Sequence, residues 1–467
     1  MARSGRTAGE AMIAPAAIVA SAAVVRQVDA VLEGAMAHQH LPGLSVAIAV
    51  DGRIVYARGY GYRNVPKRLP ANRHTVYNIA STTKQFVAAA IMRLQQRGLL
   101  NVNDRLSKYY PQYAYAERVT LRQLLTHTSG IPDYLDQSNL PPHATAAQQV
   151  AAIAKLPPEF LPGTRFEYSN TNYVILGLIV EKLTHEPLQE VFKQWFFRPL
   201  NMLDSIAVVL PWTLPDGAMG YTYKNGAFVA IPQGVADYGY GDGGIDSSAY
   251  DLNVWDQALI AGHVVTEESL RAMTTPPQAA DGEPMPGGYG FALEVDTLFG
   301  HREWQHGGDN EGFHTGNAVF PDDRFSVAII SNGNQFYYDW LLTKLFSIFY
   351  PPSPQQWNEF YAGAPHQNAS VTARALGVMR RMEAGTIKKS DVLAPAIASQ
   401  LPGTPKQMAT DAGAVGQWTH TVYRGMEYRS GNLIYSYLLF FPRAVVAYYF
   451  VLTPRGSVYA ALPVRAD

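Results

Sequence analysis

Four short apolar runs, rich in Val, Ile, Ala and Phe, have the length and composition of β-strands: 43–50, 54–57, 316–320 and 325–330. Asp51-Gly52 separates the first two runs, and this dipeptide is a strong signal for a tight hairpin. The last two runs flank Pro321-Asp-Asp-Arg324, a tetrapeptide rich in turn-forming residues. The pattern therefore predicts pairs of antiparallel strands near both ends of a long segment.

Between these strand pairs the apolar residues recur with a helical period, which predicts helices over four segments: 83–97, 120–125, 173–183 and 249–259. Gly98 stands directly after the first of them, where a glycine is typical of a helix end. Strands at both ends with helices between them predict one α/β (α+β) unit over residues 28–350. In this unit we expect one antiparallel sheet built from both termini, with a helical region beside it.

The residues after this unit have a different character. Pro351, Pro352 and Pro354 predict a linker over residues 351–368. Beyond it, two helical patterns precede four strand-like segments rich in Tyr, Val and Phe: 371–383 and 391–401, then 416–424, 433–441, 445–452 and 457–462. They predict a small α+β accessory domain over residues 369–467, a size within the normal range for a domain.

Composition limits the classes of function. Hydrophobic residues make up 47% and charged residues 16% of the 467 residues, a balance typical of a chain with a large core. The net charge is −1 and no block of Lys and Arg is visible, so no nucleic-acid partner is expected. The absence of Cys excludes disulfides, thiol catalysis and Cys-based zinc sites, and the 12 His show no paired spacing. Neither a metal nor another cofactor is expected.

The first 27 residues fit either a signal peptide or a disordered terminus. Arg3 and Arg6 precede an apolar run over 11–25, within which Ser21-Ala22-Ala23 has the small residues of a cleavage site. Glu10 and Pro15 weaken this interpretation, so export to the periplasm or the medium and a cytoplasmic location both stay open. No other stretch approaches the ~20 apolar residues that a membrane span needs, and no stable membrane span is expected.

A serine and a lysine one helical turn apart form the first chemical motif. Ser81 and Lys84 occur at the start of the predicted helix over 83–97, and residues i and i+3 share a helix face. Serine is a weak nucleophile unless an adjacent base takes its proton, and a lysine with a lowered pKa is such a base. The positive field at a helix N-terminus favours an alkoxide and a developing oxyanion. Taken alone, the motif is more typical of a capping serine followed by a surface lysine.

Tyr168-Ser169-Asn170 forms the second motif, directly before the helical pattern over 173–183. A phenol can relay a proton, and an Asn amide can hold both a lysine and a substrate carbonyl. A core tyrosine followed by an asparagine that caps the next helix would have the same pattern. For this motif by itself, a catalytic role and a purely structural role both stay open.

His306-Gly307-Gly308 forms the third motif, shortly before the late strand pair. Glycines let a ligand approach the backbone closely. We expect the N–H of the neighbouring Asp309 to donate to an oxyanion together with the N–H of Ser81. A glycine-rich hairpin turn with a chance histidine is the alternative.

In this order, the Ser-x-x-Lys, Tyr-x-Asn and His-x-Gly motifs resemble the motif set of the serine β-lactamases and penicillin-binding proteins. The chain is similar to the class C β-lactamase-like branch, which includes D,D-peptidases, esterases and D-aminopeptidases. Three further segments also look like that branch: 124–132, 243–247 and 289–291. The resemblance covers roughly residues 28–333.

The resemblance implies a serine hydrolase that uses no cofactor and acts on a small-molecule substrate. Ser81 would attack a carbonyl and become acylated, and Lys84 would take or relay its proton. Tyr168 would serve as general base in acylation or as acid to the leaving group. The remaining implied residues orient Lys84, bind substrate or hold the oxyanion: Asn170, His306, Gly307, Gly308 and Asp309.

The third motif departs from the Lys-Thr-Gly that is typical of class C β-lactamases. His306 stands in place of the cation, and Gly307 lacks the hydroxyl that would bind a carboxylate. We therefore expect esters or D-amino-acid-containing peptides and amides as substrates, with weak or no β-lactamase activity. The alternatives are a slowly deacylating penicillin-binding sensor and a non-catalytic scaffold on the same fold.

Overall fold

The structure, a computed structural model, describes residues 20–136, 140–141, 144–207, 213–232, 239–278, 285, 288–334, 336–363, 369–386, 409–414, 416–429, 432–453 and 458–467. Its helices are α1 (Ala22–His38), α2 (Thr83–Gln96), α3 (Leu121–Leu125), α4 (Ala146–Ile153), α5 (Asn170–Thr184), α6 (Leu188–Phe192), α7 (Ala249–Ile260), α8 (Glu267–Met273), α9 (Asp339–Phe349), α10 (Pro354–Ala362) and α11 (Ala369–Ala384).

The strands in the same residues are β1 (Gly43–Val50), β2 (Arg53–Asn64), β3 (Leu69–Pro70), β4 (Tyr77–Asn78), β5 (Ile206–Ala207), β6 (Tyr221–Lys224), β7 (Ala227–Ala230), β8 (Ile245–Ser247), β9 (Glu294–Leu298), β10 (His301–Asn310), β11 (Phe313–Phe320), β12 (Phe325–Ser331), β13 (His420–Arg429), β14 (Asn432–Phe441), β15 (Ala444–Leu452) and β16 (Val458–Arg465).

The early and late strands form one antiparallel sheet in the order β3-β2-β1-β12-β11-β10-β9. The two chain segments join where β1 pairs with β12, from Leu44 opposite Ser331 to Val50 opposite Phe325. Between β1 and β2, Asp51 and Gly52 have φ angles of 50° and 78°, the left-handed pair that a type I′ hairpin requires. The predicted mixed α/β fold, with an antiparallel sheet from both ends of the unit, is confirmed.

Each face of this sheet has its own hydrophobic core, because successive residues of a strand point to opposite faces. Val46 and Ile48 of β1 pack in a core with α1 and α9. Ala47, between them, belongs instead to the core of the helical region, which contains Phe86 of α2 and Trp255 of α7. The rings of these two residues stack with centroids 3.9 Å apart. Helix α2 is therefore held in the centre of the helical region, with its N-terminus beside the sheet.

The C-terminal residues form a four-stranded antiparallel sheet in the order β13-β14-β15-β16, with α11 packed against it. Side chains of this sheet contact the main unit near the start of α9. The ring of Trp340 lies 5.2 Å from that of Phe440. In addition, Gln39 Nε2 donates to the carbonyl oxygens of Tyr337, at 3.3 Å, and Ala466, at 3.0 Å. The predicted helix over 391–401 lies outside the described residues.

Helices lie at two of the predicted boundaries, while the division into domains stays a prediction. The stretch predicted as a linker contains α10, because Ser353 caps this helix and Pro354 occupies its first turn, a position that tolerates a missing N–H. At the other end, α1 begins at Ala22, six residues before the predicted start at 28, and Ser21 Oγ accepts from the N–H of Val24 at 3.3 Å. Residues 1–19 of the proposed signal segment lie outside the described residues.

Among the helices that the structure describes, none has both the length and the apolarity to cross a bilayer.

Candidate active site

Ser81 and Lys84 face each other at the start of α2. Ser81 lies in the 3₁₀ turn Ala80–Thr82 directly before the helix, and Lys84 Nζ donates to its Oγ at 3.0 Å. Lys84 is fully buried, and Nζ also donates to Asn170 Oδ1 at 2.8 Å and to the carbonyl oxygen of Asp242 at 2.7 Å. An ammonium has three N–H donors, so these three oxygens compensate the charge that burial would otherwise penalise.

The turn before Ser81 is held by two asparagines. Ala80 has a φ of 46°, in the left-handed region that residues other than Gly, Asn and Asp rarely adopt. Its N–H donates to Asn78 Oδ1 at 3.0 Å. Asn310 of β10 donates to the same oxygen at 3.1 Å. The strained turn and the strand of the third motif are thereby tied to one side chain, which fixes the position of Ser81 relative to β10.

Asn170 is the first residue of α5, and its side chain links Lys84 to a carboxylate that the sequence did not indicate. While Oδ1 accepts from Lys84, the backbone N and Nδ2 both donate to Asp133 Oδ2, at 3.1 and 2.9 Å. The alternative of a capping asparagine does not apply, because the N-cap is Ser169. The only sequence signal for Asp133 was its position directly after the segment 124–132.

Asp242 is a second contributor that the sequence analysis missed. Besides its carbonyl contact with Lys84, its Oδ2 accepts from Tyr134 Oη at 2.7 Å and its Oδ1 from the N–H of Tyr240 at 3.0 Å. Burial raises the pKa of the Asp242 carboxyl, and the nearby Lys84 and Tyr134 oppose that rise. The residue immediately precedes segment 243–247, which had been singled out only for its resemblance.

Tyr168 lies beside the lysine and against a buried histidine. Lys84 Nζ is 4.9 Å from the centroid of the Tyr168 ring, and the rings of Tyr168 and His127 are 4.2 Å apart. Nδ1 of His127 accepts from the N–H of Ser169 at 3.1 Å, which positions the second motif. Burial and the charge of Lys84 lower the pKa of His127 well below its usual value. His127 is therefore a neutral imidazole that packs against the Tyr168 ring.

His306 faces the same centre from β10. Its Nδ1 lies 2.6 Å from the carbonyl oxygen of Gly307, which can only accept, so Nδ1 carries the proton and Nε2 accepts from Tyr289 Oη at 2.8 Å. Burial, with a smaller contribution from Lys84, lowers the pKa of His306 to about 3. The imidazole is neutral at pH 7, which agrees with the expectation that the third motif supplies no cation.

The two glycines of the third motif serve opposite faces of β10. A Cβ built on Gly308 would overlap the carbonyl oxygen of Ile79, in the turn before Ser81. A Cβ built on Gly307 would overlap Tyr338 Oη. Gly308 therefore lets the strand lie directly on the nucleophile turn, whereas Gly307 makes room for a tyrosine on the other face.

The backbone of β10 next to Asp309 lies at an open sheet edge. Strand β9 pairs with β10 only as far as Gln305, and no other described strand pairs with that edge beyond it. Ser81, for its part, lies in the 3₁₀ turn directly before α2, at a helix start, where N–H groups lack an intrahelical acceptor. The side chain of Asp309 is largely exposed and lies 3.5 Å from His314, so only its N–H is suited to bind an oxyanion.

In the described part of the chain, no three His, Asp or Glu side chains lie together as a metal site would require.

A family model described as Beta-lactamase matches residues 28–342. The chain belongs to the beta-lactamase family. Protein flp of Staphylococcus aureus (strain MW2) is 26% identical over 323 residues, which are 67% of this chain and 64% of flp. This member of the family thus spans less than two thirds of that relative's length.

Two solved structures show the same fold. The octameric penicillin-binding protein homologue from Pyrococcus abyssi has a TM-score of 0.64 and 23% identity, covering 94% of this chain and 99% of that one. A D-stereospecific amidohydrolase from Streptomyces sp. has a TM-score of 0.58 and 26% identity, covering 69% and 97%. Both the predicted superfamily and its β-lactamase-like fold are confirmed for this beta-lactamase-family chain.

Proposed function

We propose that this protein is a serine hydrolase that forms an acyl-enzyme at Ser81. The observation that carries the proposal is the 3.0 Å contact between Ser81 Oγ and Lys84 Nζ, made by a lysine that is fully buried and held by two further oxygens. A surface lysine after a capping serine, the bland alternative, would be exposed to solvent. A buried amine fixed against a hydroxyl is instead suited to moving a proton.

Acylation begins with the attack of Ser81 Oγ on the carbonyl carbon of an ester or amide. This step requires the neutral form of Lys84, in which Ser81 Oγ donates to Nζ instead of accepting from it. As the new C–O bond forms, the hydroxyl proton passes to this amine and the electron pair of the carbonyl moves onto its oxygen. The tetrahedral intermediate then collapses, the bond to the leaving group breaks, and Tyr168 hands a proton to the departing alcohol or amine. A water molecule then attacks the acyl-enzyme and gives its proton to the Tyr168 phenolate. The bond to Ser81 Oγ breaks, the acid departs, and Lys84 returns its proton to Ser81.

The N–H groups of Ser81 and Asp309 are the proposed donors to the oxyanion. Removal of one such donor costs about 2.7–4 kcal/mol in other enzymes. The contact between Gly308 and the turn at Ile79 supports this assignment, because it holds the open edge of β10 against the first turn before α2.

The proposed substrates are esters and D-amino-acid-containing peptides or amides. A neutral His306 in place of a fixed cation gives little attraction for the carboxylate of a β-lactam, so we propose weak or no β-lactamase activity. The similarity to the D-stereospecific amidohydrolase, at 26% identity, supports an amide substrate.

The experiment is a comparison of hydrolysis by the purified chain on p-nitrophenyl esters, D-alanyl-p-nitroanilide and nitrocefin, with Ser81→Ala as control. We expect turnover of an ester or the anilide, no turnover in Ser81→Ala, and covalent labelling of Ser81 by a fluorophosphonate. A nitrocefin kcat/KM equal to that of dedicated lactamases would contradict the proposed specificity. A stoichiometric burst without a steady-state rate would favour the acyl-trapping sensor, and absent labelling would favour the scaffold.

A further inference from the structure

Tyr338 lies across a pair of glycines on the third-motif strand and its neighbour. Gly307 of β10 is paired with Gly316 of β11. A Cβ built on Gly316 would lie 2.7 Å from Cγ and Cδ2 of Tyr338, and one built on Gly307 would overlap its Oη. The ring thus occupies a groove across both strands that exists only because these two positions lack side chains.

The orientation of the ring places the hydroxyl at the open edge of the sheet. The Cβ–Cγ end of Tyr338 rests on Gly316 of β11, whereas Oη rests on Gly307 of β10. Beyond Gln305, the outer edge of β10 has no strand partner among the described residues. Tyr338 therefore directs its hydroxyl from the interior of the sheet towards the edge that carries the N–H of Asp309.

The segment that bears Tyr338 is anchored on both sides. The N–H of Tyr337 donates to Gln39 Oε1 at 2.8 Å, and the amide of Gln39 also bonds the carbonyl oxygens of Tyr337 and Ala466. On the other side, Trp340 packs against Phe440 of the C-terminal sheet. An anchored side chain loses little entropy when it binds a ligand, and this preorganisation favours a recognition role.

The hydroxyl of Tyr338 stays protonated at neutral pH. Burial raises the pKa of its hydroxyl well above the usual value, and Asp339 adds to the rise. The hydroxyl is therefore available as a neutral hydrogen-bond donor.

We propose that Tyr338 is a substrate-binding residue of the Ser81 site. Its hydroxyl donates to a carbonyl oxygen next to the scissile carbonyl, so that acyl donors with an adjacent amide, such as N-acylated amino-acid esters, are preferred to simple alkyl esters. This inference deepens the proposed function, on which it rests.

The test compares two p-nitrophenyl esters that differ in this acceptor, the N-acetyl-D-alaninate and the butyrate. Tyr338→Phe keeps the ring in its groove and removes only the hydroxyl. We expect it to lower the ratio of kcat/KM for the alaninate to kcat/KM for the butyrate by about five- to tenfold, the effect of one neutral hydrogen bond. Tyr350→Phe is the matched control, because the Tyr350 hydroxyl bonds a carbonyl oxygen at the distant Asp323. Its ratio should equal that of the wild type.

A second variant tests the same geometry without removing a hydroxyl. Gly316→Ala places a methyl group against Cγ of Tyr338 and displaces the ring, so the ratio should fall in the same direction. An unchanged ratio in Tyr338→Phe, or equal losses on both esters, would overturn the inference.

Binding in a Ser81→Ala background separates this inference from the proposed hydrolysis. Here Tyr338→Phe should raise the dissociation constant of N-acetyl-D-alaninamide, measured by NMR titration, by about five- to tenfold relative to that of butyramide. If the wild-type chain turns over neither ester but this difference appears, the hydrolase proposal fails and the role of Tyr338 stands. No difference in binding would overturn the role of Tyr338 itself.

Discussion

One oxygen of Asp133 accepts both the backbone N–H and the side-chain amide of Asn170, at 3.1 and 2.9 Å. Because Nδ2 is committed to the carboxylate, Oδ1 of Asn170 must face Lys84, where it accepts at 2.8 Å. Asp133 therefore determines the orientation of an amide that contacts the proposed catalytic lysine.

We expect Asp133→Ala to lower kcat/KM for p-nitrophenyl butyrate by about ten- to a hundredfold. The physical reason is the loss of a charge-assisted hydrogen bond, worth about 1.5–3 kcal/mol, which frees the Asn170 amide to rotate. The measurement is steady-state hydrolysis with parallel circular dichroism. Asp322→Ala, at an exposed carboxylate paired with Arg302, is the control. Equal rates in the two variants would refute the orienting role.

We expect Gly308→Ala to abolish most of the activity while the chain still folds. The added methyl group would overlap the carbonyl oxygen of Ile79, so β10 must move away from the Ser81 turn and carry the N–H of Asp309 out of line. The loss in kcat should approach the roughly hundredfold effect of removing an oxyanion donor. Gly34→Ala in α1, where a built Cβ meets nothing within 4 Å, should leave kcat unchanged and slightly stabilise the helix. A fully active Gly308→Ala protein would contradict this packing.

Because His306 is buried as a neutral imidazole, the stability of the folded chain should decrease in acid. Burial lowers its pKa to about 3 from an ordinary value of 6.5, so between these values the unfolded chain binds a proton that the folded chain does not. The free energy of unfolding is therefore not reduced by His306 above pH 6.5, and it decreases as the pH falls towards 3. We expect the drop in thermal midpoint between pH 7 and pH 4.5 to be smaller in His306→Gln than in the wild type. The exposed His263→Gln should reproduce the wild-type drop, and an identical drop in His306→Gln would count against a buried neutral imidazole.

Because Glu303 is buried, the stability of the folded chain should instead decrease as the pH rises. Burial raises its pKa to about 8, Asp296 and Asp339 add to the rise, and Arg424 of β13 opposes it. The folded chain then binds a proton that the unfolded chain lacks between pH 4.5 and 8, so stability is lost as the pH rises through 8. We expect Glu303→Gln to raise the thermal midpoint at pH 9 more than at pH 5. Glu33→Gln on the surface of α1 should show no such difference, and a Glu303→Gln midpoint that follows the wild type at both pH values would refute the assignment.

Local geometry explains which parts of the site could be predicted. Ser81 and Lys84 are three residues apart on a helix, so their contact follows from the helical repeat alone. The hairpin at Asp51-Gly52 and the strand pair around Pro321 likewise depend on short-range turn chemistry. These features need no knowledge of the tertiary fold.

Contacts across long sequence separations could not be predicted in this way. Asp133 precedes its partner Asn170 by 37 residues, and the carbonyl of Asp242 reaches Lys84 across 158. No periodicity in the sequence relates such positions, and only the packing of α2 and α5 brings them together. The helix that begins at Pro354 was missed for another reason, since proline favours both a linker and a first helical turn.

The groove between Gly307 and Gly316 also restricts how substrate preference can change during evolution. A side chain cannot enter at 307 until the residue at 338 becomes smaller, and a smaller residue at 338 leaves a void over both glycines until 307 or 316 is filled. Single substitutions at any of these positions should therefore be deleterious, while certain pairs are tolerated. Adaptation of this chain towards carboxylate-bearing substrates would then require coordinated change on three separate segments of the polypeptide.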